Sequence, residues 1–194
     1  MFSSAYSENP LLAQFRRLEE ELDEIFGGAT PWTGGIRSLP PGTFPAINVG
    51  GTEVQALYLG PAHTGGDLVV YLPTHKILFM SEVYLNRVFP AMRSAHPTEW
   101  VAAIDKALKL DVDRFVPGHG FIEEPKASRE ELIEYQKAMR AVIAEVNRLH
   151  KLGLTADEAV KQANWGPYKE WFLVEQQGPI AVRKIYEEIE GKLK

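Results

Sequence analysis

Residues 59–73 read LGPAHTGGDLVVYLP, and residues 116–120, further along the chain, read VPGHG. In each stretch a histidine follows an apolar run that is typical of a β-strand, and glycine residues lie close to the histidine. Glycine lets the backbone turn tightly and leaves a neighbouring imidazole unobstructed. Because neutral imidazole is the commonest metal ligand in proteins, His63 and His119 are candidate metal ligands. For either histidine alone, a hydrogen-bonded turn residue is an equally ordinary interpretation.

Glu82 is the third candidate, because it follows the apolar run Ile77–Met80 through Ser81. Its carboxylate would emerge at the same sheet edge as the two histidines, where it could bridge metal ions or take a proton from water. A surface glutamate at a strand end is the alternative. Asp67 is expected to accept backbone hydrogen bonds within its loop. The residues expected to shape the loops around the histidines are Thr64, Gly65, Gly66, Asp67, Gly118 and Gly120.

The composition limits the class of protein. With 194 residues, 45% of them hydrophobic, the chain is long enough for one core, or one core plus an appendage. A net charge of -5 favours neither nucleic acid nor an anionic membrane as a partner. Cysteine is absent, so a transition metal would be held by nitrogen and oxygen. No secretory leader and no apolar run of about 18 residues occurs, so we expect a cytoplasmic protein.

Two parts of the chain differ in character. Residues 1–48 hold a predicted amphipathic helix, whose apolar residues recur from Leu11 to Ile25, followed by an arm rich in proline and glycine. Residues 49–194 begin with alternating strand and helix signals. The order β-β-β-α-β predicts a mixed α/β sheet covered by helices. The predicted segments are strands at Val54–Leu59, Leu68–Leu72, Lys76–Met80 and Val112–Val116, a turn at Pro73–His75 and a helix at Thr98–Leu110.

The remainder of the second part is predicted to be helical. The run Ser128–Glu131 matches a capping box that would begin a long helix ending near Leu152. The run Thr155–Glu158 matches a second box before a short helix, and Gly178-Pro179 is expected to begin the final helix. We expect these helices to pack together and to belong to the same domain as the sheet.

From residue 49 onward the chain resembles the C-terminal half of the metallo-β-lactamase-fold hydrolases. Ala62–Asp67 is similar to the third-histidine motif of that family, and Pro117–Gly120 is similar to its last-histidine motif. The resemblance implies half of an αββα sandwich and a hydrolytic activity that uses one or two zinc ions. The residues that it implies as zinc ligands here are His63, Glu82 and His119.

Two features depart from the pattern of that family. Its HxHxDH motif, which supplies further zinc ligands and a water-orienting aspartate, should precede His63, but residues 1–62 contain no histidine. Where the family has Gly-Asp, this chain has Ser81-Glu82, which keeps the charge but moves the carboxylate oxygens by a methylene group. We therefore expect an incomplete metal site and an impaired hydrolase.

The first part of the chain resembles a different family. Leu11–Phe26 followed by Gly42–Val49 is similar to the N-terminal arm and first strand of bacterial small heat-shock proteins, the α-crystallin family. This resemblance implies a non-catalytic, chaperone-like protein that assembles through its amphipathic helix. Half of a sandwich would also leave one apolar sheet face uncovered. Both features favour a homo-oligomer, with a dimer preferred, and the choice between a zinc hydrolase and an interaction protein stays open.

Overall fold

A five-stranded mixed sheet lies at the centre of residues 46–193, the part of the chain that this computed structural model describes. The strands lie side by side in chain order; the first three pairings are antiparallel and the fourth is parallel. The predicted α/β class is confirmed, and the predicted order β-β-β-α-β is found in residues 52–116, after a further edge strand at residues 46–49. The strands are β1 (Ala46–Val49), β2 (Thr52–Leu57), β3 (Val69–Leu72), β4 (Ile77–Phe79) and β5 (Arg114–Val116).

The connections around β4 determine where the loops emerge. The antiparallel strands β3 and β4 are joined by the single 3-10 turn Pro73–His75, which confirms the predicted turn. Between the parallel strands β4 and β5 the chain crosses over through a helix, because a tight turn cannot join parallel neighbours. The carboxyl ends of β4 and β5 therefore open at the same edge of the sheet.

The two faces of the sheet differ in what covers them. Alternate residues of a strand point to opposite faces, and Leu57, Val69, Leu78 and Phe115 share the face that is buried under the helices. We call the opposite side the outer face. Its central β3–β4 pair consists of Val70 and Phe79, which are 37% and 40% exposed. The apolar residues of the outer face are Ile47, Val49, Val54, Ala56, Val70, Leu72, Ile77, Phe79 and the buried Val116.

Helices cover the inner face. The first buries Trp100, Val101 and Ile104, the face that the sequence predicts, and the long second helix packs against both β5 and the first helix. A capping box at Thr155 and Glu158 begins the third helix, as predicted. The helices of the described residues are α1 (Pro97–Ala107), α2 (Pro125–Lys151), α3 (Ala156–Gln162) and α4 (Val174–Ile189).

Two predicted helix starts are wrong. α2 begins at Pro125, because proline suits the first helical position, and Ser128 lies inside the helix. The Ser128 hydroxyl donates to the Pro125 carbonyl at 2.7 Å and accepts the Phe115 N–H at 3.1 Å, so it ties α2 to β5. α4 begins at Val174, because the carbonyl of residue 173 accepts the first helical N–H groups. Pro179 therefore lies inside the helix and does not begin it.

The predicted N-terminal helix and its proline-rich and glycine-rich arm lie outside residues 46–193. Among the helices within that range, none is both long enough and apolar enough to cross a membrane.

Candidate active site

Glu82 and His119 lie side by side at the edge where β4 and β5 end. The distance from His119 Nε2 to Glu82 Oε1 is 2.9 Å. Both side chains reach solvent, since that of Glu82 is 36% exposed and that of His119 is 62% exposed. The pair is thus hydrogen-bonded and accessible to a ligand from solution.

Two glycines allow the loops of this pair to approach each other. The Gly118 N–H donates to the Tyr84 carbonyl at 2.9 Å. A Cβ atom on Gly118 would lie 2.4 Å from the Ser81 carbonyl oxygen, and one on Gly120 would lie 2.1 Å from the Asn86 carbonyl oxygen. Gly120 also has a φ of 95°, a conformation that favours glycine. No side chain fits at either position unless the backbone moves.

Asn86 holds the loop on the far side of His119. Its backbone N–H donates to the His119 carbonyl at 2.9 Å, and its side-chain Nδ2 donates to the Phe121 carbonyl at the same distance. The Asn86 side chain is buried, while the neighbouring Arg87 is exposed and forms an ion pair with Glu131 at 2.6 Å. The two hydrogen bonds of Asn86 fix the backbone of residues 119–121 against this residue.

His63 occupies a separate, well-defined loop. The Thr64 N–H donates to the Asp67 carboxylate at 2.6 Å, and the Gly66 N–H donates to the Thr64 hydroxyl at 3.2 Å. Asp67 therefore accepts a backbone hydrogen bond in the way that the sequence suggests. The imidazole of His63 packs edge-on against the Trp100 ring, with 5.6 Å between the ring centroids. Its Nδ1 atom is buried and has no hydrogen-bond partner in the part of the chain that the structure describes.

His96 lies against the same loop. Its backbone N–H donates to the Ala62 carbonyl at 2.8 Å, and its Nε2 atom lies 3.7 Å from the place of a Cβ on Gly65. His96 directly precedes Pro97, the first residue of α1. The start of this helix therefore lies against the His63 loop.

Trp100 connects the two loops, a role that the helical periodicity alone does not reveal. It is fully buried, and its indole N–H donates to the Val83 carbonyl at 2.8 Å, one residue after Glu82. The same ring contacts His63. The periodicity of α1 predicts a core position for Trp100, and the structure adds its contacts with His63 and with the residue that follows Glu82.

The donor types at this edge fit zinc, but their number does not complete a site. Imidazole nitrogen and carboxylate oxygen are common zinc ligands, and a zinc site uses at least three protein ligands. Within residues 46–193 no three His, Asp or Glu side chains are grouped closely enough to hold a metal ion. The structure joins Glu82 to His119 by a hydrogen bond and packs His63 against Trp100.

Comparison with known proteins identifies the class. The Metallo-beta-lactamase superfamily profile matches residues 15–119, which is more than half of the chain. The chain belongs to this superfamily. The match extends through much of residues 1–48 and gives no support to the resemblance of that segment to small heat-shock proteins.

The similar proteins are enzymes that differ in activity. The chain is 30% identical to a linear primary-alkylsulfatase from Pseudomonas sp. over 154 residues, which is 72% of this chain and 28% of the relative. It is also 30% identical to the alpha subunit of a 2,4-dinitroanisole O-demethylase from Nocardioides sp., over 38% of this chain and 23% of that subunit. The chain thus spans less than a third of the length of either relative.

Two solved structures share the fold. The sec-alkylsulfatase Pisa1 from Pseudomonas sp. aligns with 75% of this chain and 25% of its own, at a TM-score of 0.60 and 17% identity. A metallo-beta-lactamase family protein from Thermus thermophilus aligns with 91% of this chain and 60% of its own, at a TM-score of 0.56 and 18% identity. The predicted fold is therefore confirmed.

Proposed function

We propose that the chain carries part of the active site of a metal-dependent hydrolase and that its own site is incomplete. The contact between Glu82 and His119 at 2.9 Å, at the carboxyl ends of two neighbouring strands, is the observation that carries this proposal. Membership in the superfamily supports the hydrolase class. With two adjoining donors rather than three, the site is expected to bind zinc weakly and to turn over slowly.

The residues at this edge have distinct chemical tasks in the proposal. Glu82 is a proton acceptor for water and, with His119, a ligand for zinc; the hydrogen bond between them orients both side chains. His63 is the third donor in the proposal, because its buried Nδ1 atom has no hydrogen-bond partner among residues 46–193. When bound, zinc would lower the pKa of a water molecule and polarise the bond to be cleaved.

Sulfate esters of linear alkyl chains are the substrate class that we propose to test first. This choice rests on the alkylsulfatase, which matches more of this chain than the O-demethylase subunit does. The expected reaction is hydrolysis of the ester, which releases inorganic sulfate and an alcohol. The test is to incubate the protein with a linear primary alkyl sulfate and zinc chloride and to measure the inorganic sulfate that is released.

We expect metal-stripped protein to bind zinc weakly in calorimetric titration and Glu82→Gln to weaken that binding at least about tenfold. The amide keeps the size of the side chain but removes the charge that attracts the cation. Glu130→Gln is the matched control, because Glu130 is exposed on α2, away from the β4–β5 edge. Failure of the wild-type chain to bind zinc, or equal affinities for wild type and Glu82→Gln, would refute the proposed site.

A second candidate function is an interaction protein that associates through the outer face of the sheet. Val70 and Phe79 are exposed at its centre, and Val49 of the edge strand β1 is 59% exposed. A continuous apolar face of this kind favours association, and an unpaired edge strand offers free backbone groups to a partner. A second copy of the chain, packed face to face, would bury both outer faces in a two-sheet sandwich and form a homodimer.

Sedimentation velocity at micromolar concentration tests this candidate. The wild-type chain is expected to sediment as a dimer and Phe79→Glu as a monomer, because a carboxylate buried between apolar faces is strongly disfavoured. Phe172→Glu is the matched control, since Phe172 is 67% exposed and lies outside the sheet. A monomeric wild-type chain, or a Phe79→Glu variant that remains dimeric, contradicts association through the outer face.

A further inference from the structure

The hydroxyl of Tyr135 is a buried donor that finds no partner among the described residues. Tyr135 lies on α2, its side chain has no exposed surface, and its hydroxyl oxygen makes no hydrogen bond within residues 46–193. Burial raises the pKa of Tyr135 well above its usual value, so the group keeps its proton at neutral pH. Nearly all buried polar groups are hydrogen-bonded, and an exception points to a strained or functional position.

The aromatic rings that contact Tyr135 connect it to the turn that contains Glu82. Its ring contacts those of Tyr84 and Trp100, with centroid distances of 5.6 Å and 6.2 Å. Tyr84 lies two residues after Glu82, and Trp100 is bound to the carbonyl of Val83. Two of the rings that hold Tyr135 are thus fixed to the turn that presents Glu82. The negative charge of Glu82 adds to burial in raising the pKa of Tyr135.

We propose that Tyr135 is a positioning residue for Glu82. Its hydroxyl donates to one water molecule that in turn donates to the Glu82 carboxylate, and this bridge holds the carboxylate beside His119. The inference rests on the proposed use of Glu82, and it adds a residue from a different helix to the site. If Tyr135 were only a filler of the core, its hydroxyl would have no energetic connection to Glu82.

A double-mutant cycle measures that connection without any metal. The unfolding equilibrium in urea is compared for wild type, Tyr135→Phe, Glu82→Gln and the double variant. We expect the effects to depart from additivity by at least about twofold in the unfolding constant. Tyr135→Phe alone is expected to change that constant less than about fivefold or to stabilise the fold, because it removes an unpartnered donor.

Tyr84→Phe is the matched control. Its hydroxyl is also buried and makes no hydrogen bond to residues 46–193, but the charged groups that act on it are Glu131, Glu123 and Arg87 rather than Glu82. The cycle of Tyr84→Phe with Glu82→Gln should therefore be additive. An additive cycle for Tyr135, or equal coupling for both tyrosines, overturns the inference.

Titration with zinc chloride is the second measurement. We expect Tyr135→Phe to weaken zinc binding about tenfold and Tyr84→Phe to leave it within about twofold of wild type. If the wild-type chain binds no zinc but the cycle shows coupling, the proposed metal site fails while the positioning role stands. If the wild-type chain binds zinc and Tyr135→Phe binds it equally well, the positioning role fails while the metal site stands.

Discussion

Gly118→Ala is expected to lower the free energy of unfolding by about 2–3 kcal/mol and to separate Glu82 from His119. The new Cβ would lie 2.4 Å from the Ser81 carbonyl oxygen and 2.6 Å from its carbonyl carbon. These are backbone atoms, so no side-chain rotation relieves the overlap, and the loop must move away from the 3-10 turn Ser81–Val83. Since that turn carries Glu82, its hydrogen bond with His119 would break.

Urea denaturation and the NMR signals of the His119 ring measure the two effects. Gly65→Ala is the matched control in the other histidine motif, because a Cβ there would meet its nearest neighbouring atom at 3.7 Å, an ordinary contact. Its effect on stability is expected to stay within about 1 kcal/mol. If Gly118→Ala is as stable as wild type and keeps the His119 signals unchanged, the close approach of the two loops is not needed for the fold.

The fold could be predicted largely from local patterns. Short apolar runs bounded by glycine, proline and aspartate placed β2 to β5 to within two residues at each end. The predicted turn at Pro73–His75 and the capping box at Thr155 are also found, because both depend on neighbouring residues only. The predicted start of α2 is wrong, since the capping-box pattern at Ser128 competes with a proline one turn earlier, where the helix begins.

The candidate site was harder to predict, because it depends on contacts between distant segments. The glycine-flanked His119 and the strand end before Glu82 are local signals, and the parallel pairing of β4 with β5 brings the two residues together. No local pattern shows that Trp100 contacts both His63 and the Val83 carbonyl, or that Tyr135 packs against Trp100. Both residues occupy ordinary core positions of amphipathic helices, so periodicity predicts their burial and nothing more.

The last prediction concerns the buried hydrogen bond of Trp100. Trp100→Phe is expected to lower the free energy of unfolding by about 2–3 kcal/mol, because it leaves the buried Val83 carbonyl without its 2.8 Å donor and leaves part of the indole volume empty. The phenyl ring keeps an apolar surface for His63. The larger change is thus expected at the 3-10 turn Ser81–Val83, where the hydrogen bond is lost.

Urea denaturation gives the loss of stability, and NMR of the His63 and His119 rings shows which loop moves. Trp165→Phe is the matched control, because Trp165 is half-buried and packs on Phe89 and Gly178, outside the His63 loop and the Glu82 turn. Its cost is expected to stay below about 1.5 kcal/mol. Larger shifts at His119 than at His63 in Trp100→Phe would show that the indole N–H, more than the ring, ties α1 to the turn that presents Glu82. Shifts confined to His63 would instead assign Trp100 to the His63 loop alone.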